Sequence, residues 1–321
     1  MPVAQKVLIL GGCGFIGSAI AARLTALGCR VTIPTRRRER ARHLLILPTV
    51  DVVDADIADP VRLAALIQGQ DAVIYLPGIL HSRVAKPYGP DFKVVHVDLV
   101  GRALGCAIAA GVPRFLHMSA LGASPHAPSM YGRSKASGEA QVEAVKAQIA
   151  TTIFRPSVVF GARDKFTNLF ALMQRVSPLV VLGRADAKLQ PIYVEDVASA
   201  FANALNNPTT FGKTYELAGP RAYTLRELVT LCGKWAGVAR PVIGLPDSLA
   251  YAQALVMEWL PVKLLSRDNL DSLKEDNVMR GVWSPDLGVT PVSLDSVAPG
   301  WLSAQGASRL RYDNLRQKAH R

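Results

Sequence analysis

Short, unbroken apolar runs alternate with longer stretches of helical periodicity from Lys6 to about Arg155. The runs Lys6–Leu10, Arg30–Thr35, Thr49–Val53, Ala72–Leu76, Phe115–Ser119 and Thr151–Arg155 read as strands. Their apolar residues do not alternate with polar ones, which is the pattern of strands covered on both faces. Between them the spacing predicts helices over Phe15–Leu27, Pro60–Gln68, Val97–Ala110 and Tyr131–Val145. Pro60 directly after Asp59 marks a helix start, because the first turn leaves the N–H that proline lacks unused. Strand and helix in regular alternation require crossover connections. The expected fold is therefore α/β, a Rossmann-type doubly wound parallel sheet.

After Arg155 the order loosens. Gly161, Gly183, Pro191, Gly212, Gly219 and Pro220 break the chain into shorter elements, and helical periodicity resumes at Thr224–Ala236 and Asp247–Leu260. The expected organisation is a sheet domain over 1–155, with 191–206 returning to it through a helix that opens at Val194. A smaller, interleaved C-terminal lobe takes 156–190 and 207–305, and 306–321 forms a basic tail. The helix from Asp247 to Leu260 is apolar nearly all round, which reads as burial in the core of the lobe; contact with a hydrophobic partner or a membrane surface is the alternative.

Half of the 321 residues are apolar and 19% are charged, which excludes a disordered chain. Cys13, Cys29, Cys106 and Cys232 lie far apart, so neither a disulfide scaffold nor a structural zinc site is expected. No pair among His81, His96, His117 and His126 has metal-ligand spacing, and no metal is expected. The N-terminus enters a strand, so no signal peptide is expected, and with no run of about 18 apolar residues no membrane-spanning segment is expected. A cytoplasmic location follows as an expectation. The net charge of +12 is concentrated: five arginines against Glu39 lie between Arg36 and Arg42, and the tail carries Arg309, Arg311, Arg316, Lys318 and Arg321 against Asp313. The first cluster suggests a phosphate site. The second suits an anionic membrane surface or a protein partner, which would make the chain peripheral to the inner membrane. Neither cluster has the interleaved aromatics of a nucleic-acid platform, and no nucleic-acid partner is expected.

The loop Gly11-Gly12-Cys13-Gly14-Phe15-Ile16-Gly17 follows the first strand and opens the first helix. Glycine is required there so that backbone can turn tightly and approach a pyrophosphate, which the N–H groups and the positive helix end then hold. At the end of the second strand, where an acidic residue would hold a ribose 2′-hydroxyl, the sequence reads Pro34-Thr-Arg-Arg-Arg38. Arg36 and Arg37 there would attract a 2′-phosphate, so the cofactor expected is NADP(H) in preference to NAD(H). Asp56 and Ile57, after the third strand, are placed to border the adenine. Cys13 is read as a small packed residue.

Tyr131-Gly-Arg-Ser-Lys135 sets a phenol and an ammonium at i and i+4 on one helix face. A tyrosine can give its proton to a developing alkoxide when a nearby cation lowers its pKa. With Ser119 ending a strand 12 residues earlier, the sequence resembles the short-chain dehydrogenase/reductase superfamily, of the extended or atypical, NAD-dependent epimerase/dehydratase-like kind. The segments Leu76–Leu80, Ser119–Ala123, Tyr131–Glu139 and Arg155–Gly161 are similar to the branch that contains the nucleotide-binding accessory subunit of respiratory complex I. The resemblance implies a catalytic Tyr131 and Lys135 assisted by Ser119, cofactor contacts from Leu76, Pro77 and Gly78, and a nicotinamide side lined by Arg155, Pro156 and Ser157. It implies an oxidoreductase or epimerase-like enzyme, and a quinone- or lipid-like substrate suits the apolar second lobe. The alternatives are a non-catalytic accessory or assembly subunit of respiratory complex I, or an NADP(H)-sensing regulator.

The sequence departs from that pattern in two places. Ala120 occupies the usual serine position, leaving Ser119 to substitute, and His96 stands near the place of an asparagine common in the preceding helix. Asp164 and Lys165, after a turn at Gly161, are placed to border a substrate or to lie in solvent.

Overall fold

The computed structural model describes residues 5–259 and 265–303, so the basic tail lies outside the described residues. The first part of the chain runs β1 (Lys6–Leu10), α1 (Phe15–Ala26), β2 (Arg30–Thr35), β3 (Val50–Asp54), α2 (Pro60–Ile67), β4 (Ala72–Tyr75), α3 (Pro90–Phe92), α4 (Leu99–Ala109), β5 (Arg114–Met118), α5 (Met130–Ala144) and β6 (Ala150–Pro156). There follow β7 (Val159–Phe160), α6 (Thr167–Val176), β8 (Val180–Gly183), β9 (Lys188–Leu189), β10 (Ile192–Tyr193), α7 (Val194–Leu205) and β11 (Lys213–Leu217). The last elements used here are β12 (Tyr223–Thr224), α8 (Leu225–Trp235), β13 (Val242–Leu245), α9 (Asp247–Glu258) and α10 (Arg267–Ser272).

Seven strands form one parallel sheet in the order β11-β6-β5-β4-β1-β2-β3. The order reverses at β1, which pairs with β2 on one side and β4 on the other. In such sheets a ligand crevice opens beyond the C-terminal ends of the strands at the reversal. The described residues divide into two units, the first made of 5–156, 195–217 and 281–290 and the second of 157–194, 218–259, 265–280 and 291–303. Residues 207–217, read from the sequence as part of the smaller lobe, thus supply edge strand β11 of the sheet. Beneath that edge Arg114, 3% exposed, donates to the carbonyls of Ala150, Ala204 and Leu205 and to the hydroxyls of Thr152 and Thr210.

The helix expected from Val97 begins earlier, at Pro90 after Gly89, and a π-helical turn over Lys93–Asp98 joins α3 to α4. Within that turn the Val95 carbonyl accepts from the Tyr75 hydroxyl at 2.6 Å.

The second unit has its own core, in which Phe160, Phe170, Leu182, Leu228, Val229 and Trp301 pack together. Asp164 is 6% exposed and accepts from the N–H groups of Gly161, Phe166, Thr167 and Asn168 and from the Thr167 hydroxyl. It caps α6, so the expectation of a substrate-bordering carboxylate gives way to a structural one, while Lys165 is exposed. The burial expected for the Asp247 helix is overturned as well. Only Ala250 and Ala254 of α9 are buried, whereas Leu249, Leu255, Val256 and Trp259 are exposed, Trp259 to 85%. Small residues face inward because α9 rests on Gly183, where a Cβ would come within 2.7 Å of the Ala250 methyl. Among the described residues no helix is long and apolar enough to cross a membrane.

Candidate functional site

The glycine loop sits at the C-terminal end of β1 and makes two close approaches that no larger residue permits. Gly11 has φ +82°, and a Cβ on it would lie 3.2 Å from the Pro77 nitrogen and 3.3 Å from the Leu76 carbonyl carbon. The segment Leu76-Pro77-Gly78 leaving β4 is thereby brought against the loop. A Cβ on Gly17 would stand 2.6 Å from both the Gly11 carbonyl oxygen and the Gly12 Cα, so α1 lies directly on the turn. Gly14 is the N-cap of α1 and brings no side-chain cap, and the first turn, with Phe15 and Ile16, contains no acidic residue. A helix start of this kind presents unsatisfied N–H groups and positive potential to an anion. Burial pushes the Cys13 thiol up, in keeping with a packed, unreactive residue.

Arg36 and Arg37 are exposed at the end of β2, and their guanidinium groups make no hydrogen bond or ion pair among the described residues. The backbone beneath them is fixed, because the Thr35 hydroxyl accepts from the Arg37 N–H and donates to the Arg37 carbonyl. Asp56 is exposed and its carboxylate accepts from the Ala58 N–H, while Ile57 packs on the apolar core of the sheet. A bare helix start and the close backbone approach at Gly11 fit the pyrophosphate of a dinucleotide.

Lys135 lies at the end of β5, next to Ser119 in the fold, and Tyr131 stands one turn earlier than Lys135 on α5. Lys135 is 3% exposed and its Nζ donates to the Met118 carbonyl at 2.6 Å. Burial is the main reason its ammonium falls from 10.5 to about 8, partly opposed by the Glu139 carboxylate. Ser119 is 2% exposed, its N–H donates to the Phe154 carbonyl, and its Oγ is buried without a hydrogen-bond partner. Burial raises the Tyr131 phenol to about 12, so it holds its proton at neutral pH.

His96, which had been noted only as standing where an asparagine is common, is part of this site. It lies in the π-helical turn, 1% exposed, and its Nε2 accepts from the Ile79 N–H at 3.1 Å. Its Nδ1 must then carry the hydrogen and donate to the Ser134 Oγ at 2.8 Å, which in turn donates to the Tyr131 carbonyl. Burial, with Lys135 adding to it, holds the ring neutral by pushing its pKa down to about 2. The ring also packs edge-on against Tyr131, with centroids 5.6 Å apart. One neutral imidazole therefore joins the loop after β4 to helix α5. Only the π-helical turn, which the sequence does not announce, puts it there.

Arg155 makes a two-point ion pair with Glu139, at 2.8 and 2.6 Å. The pair raises the Arg155 pKa and commits the guanidinium to α5. Pro156 closes β6, and in the second unit the Ser157 hydroxyl donates to Asn277 Oδ1 at 2.5 Å. The Arg155 Nη1 N–H groups and the acceptor lone pairs of the Ser157 hydroxyl are not used in these bonds. Among the described residues no cluster of three His, Cys, Asp or Glu side chains is set to hold a metal ion.

Residues 7–218 match the family described as NAD dependent epimerase/dehydratase. NADH dehydrogenase (ubiquinone) 1 alpha subcomplex subunit 9, mitochondrial, of Rattus norvegicus is 36% identical over 229 residues, which are 69% of this chain and 58% of that protein. The chain thus spans less than two thirds of that relative. The NAD(P)H azoreductase of Xenophilus azovorans is 27% identical over 278 residues, 86% of this chain and 90% of that protein. In fold, the NADPH-dependent quinone oxidoreductase QOR2 of Escherichia coli, solved with NADPH, matches with a TM-score of 0.68 at 20% identity, over 91% of this chain and 98% of that one.

Proposed function

The chain belongs to the NAD dependent epimerase/dehydratase family, and from that premise we propose that it is an NADP(H)-dependent oxidoreductase acting on a quinone-like or other apolar carbonyl substrate. The observation that carries this reading is at the end of β5, where the buried Lys135 ammonium is bonded to the Met118 carbonyl and the next residue, Ser119, has a buried hydroxyl with no partner among the described residues, while the Tyr131 phenol stands one turn before Lys135 on α5. A buried hydroxyl without a partner and a buried lysine are both destabilising, so their presence together argues for work done there.

The glycine loop would hold the pyrophosphate, Arg36 and Arg37 the 2′-phosphate, and Lys135 the ribose next to the nicotinamide. When bound, the cofactor supplies a hydride. Tyr131, protonated at neutral pH, gives its proton to the substrate oxygen as charge builds there. The Lys135 ammonium offsets the charge left on the phenol, and the Ser119 hydroxyl donates to the same substrate oxygen. His96 takes no proton; it keeps the Tyr131 backbone in place. The names of the azoreductase and of QOR2, NAD(P)H- and NADPH-dependent reductases of those proteins' own substrates, support the direction of the reaction. The test is NADPH oxidation with a panel of quinones and azo dyes. Tyr131→Phe should lower turnover at least about 100-fold while NADPH affinity stays within about twofold. Unchanged turnover in that variant removes the mechanism.

A second reading is favoured by the rat relative, which is named as a subunit of a respiratory dehydrogenase. On it, the chain is a nucleotide-binding accessory or assembly subunit at the inner membrane, and the exposed apolar side of α9 supports it by supplying contact surface. Sedimentation of gently solubilised host extract, assayed for NADH dehydrogenase activity, separates the two. Co-migration with the large active complex favours the subunit; a small free species favours the enzyme.

A further inference from the structure

The arginine-rich stretch after β2 is a short 3₁₀ helix, Arg38–Leu44, with Arg37 as its N-cap. Two apolar residues, Ala41 and Leu44, anchor it with 0% and 1% exposure, and Arg38, Arg40 and Arg42 stand in solvent. Beyond that apolar contact the stretch is held by hydrogen bonds at both ends, and the bond at its far end reaches α1. At its start the Thr35 hydroxyl holds the Arg37 backbone. At its end His43 Nε2 lies 2.8 Å from the Ser18 Oγ.

The directions of these bonds can be assigned. The Ser18 hydroxyl, 4% exposed, has one hydrogen and gives it to the Gly14 carbonyl at 2.7 Å. It can only accept from the imidazole, so His43 carries its proton on Nε2. A single relay, His43 to Ser18 to Gly14, therefore runs from the last turn of the arginine helix to the N-cap of α1.

We propose that the Ser18–His43 bond is a specificity-determining tie: it sets how strongly NADPH is preferred over NADH by fixing the arginines in place before the 2′-phosphate arrives. His43 is a positioning residue that acts through Arg36 and Arg37. The physical reason is preorganisation. Exposed arginines on an untethered segment must be ordered on binding, and a tie that orders them in advance removes that loss only for the ligand that uses them. NADH, which has no 2′-phosphate, gains nothing from it. Ser18 is the partner chosen because it already faces Gly14, so the arginine helix is set in register with the phosphate cradle itself.

This inference rests on the NADP(H) reading, and affinity titrations of NADPH and NADH on the full chain test the two separately. His43→Ala should weaken NADPH binding about threefold to tenfold and move NADH by less than about twofold. Ser18→Ala should do the same, and the double variant should be no worse than either single one, because both remove one bond. His43→Gln, whose amide retains a donor, should recover most of the preference. Equal weakening of both cofactors, or additive losses in the double variant, would show a general packing role and overturn the proposal. So would an unchanged NADPH-to-NADH ratio in His43→Ala when Arg36→Ala plus Arg37→Ala abolishes that ratio. A wild-type protein that binds both cofactors equally overturns the NADP(H) reading first and this inference with it.

Discussion

Replacing Lys135 by methionine should make the protein more stable at neutral pH and catalytically inert. Burial pushes the ammonium from 10.5 down to about 8. At about 1.4 kcal/mol per pH unit, holding that charge in the folded state costs about 3 kcal/mol. Below pH 8 the lysine is protonated both folded and unfolded, so the full penalty applies. Between pH 8 and 10.5 the unfolded chain still binds the proton that the folded one has released, and wild-type stability rises with pH. Methionine removes the charge but also the donor to the Met118 carbonyl, a loss of about 1 kcal/mol. The variant should therefore gain about 2 kcal/mol at pH 7, and the gain should shrink to nothing or reverse by pH 10. Urea unfolding of both proteins at the two pH values reads the difference directly, since every other titrating group is shared. A variant that is less stable at pH 7, or offset by the same amount at both pH values, would refute the reasoning.

Gly17→Ala places a methyl 2.6 Å from the backbone on two sides, where no rotamer change relieves it; it should lower stability by about 1–3 kcal/mol and NADPH affinity by more than tenfold, seen by thermal melting and calorimetric titration. His117 is 1% exposed, and neither of its ring nitrogens has a hydrogen-bond partner among the described residues. His117→Leu, of similar volume, should accordingly raise stability by about 1 kcal/mol and the melting temperature by about 2–4 °C; a lower melting temperature would mean that the ring has a partner in solution.

The large sheet was legible because strands covered on both faces are written as unbroken apolar runs, and the glycine loop because its constraint is local and steric. Long-range choices were not legible. Arg155 is committed to Glu139, a residue 16 positions earlier on a neighbouring helix, and nothing in Arg-Pro-Ser announces that. Burial of the Tyr131 phenol, which raises its pKa, is likewise not readable from its spacing to Lys135. The apolar composition of α9 shows that the helix has much to bury but not which side does so. Gly183 decides in favour of its alanines and leaves its large residues outside. His96 enters the site only because a π-helical turn shifts the register by one residue, an effect of packing rather than of propensity.

Titration of NADPH and NADH onto the wild-type protein and onto Arg36→Ala plus Arg37→Ala tests the central claim most directly, because it needs no substrate. A tight NADPH complex, NADH weaker by at least about tenfold, and a double variant in which the two converge are the expected results. Equal affinities in the wild type, a preference that survives loss of both arginines, or no binding of either cofactor would contradict it.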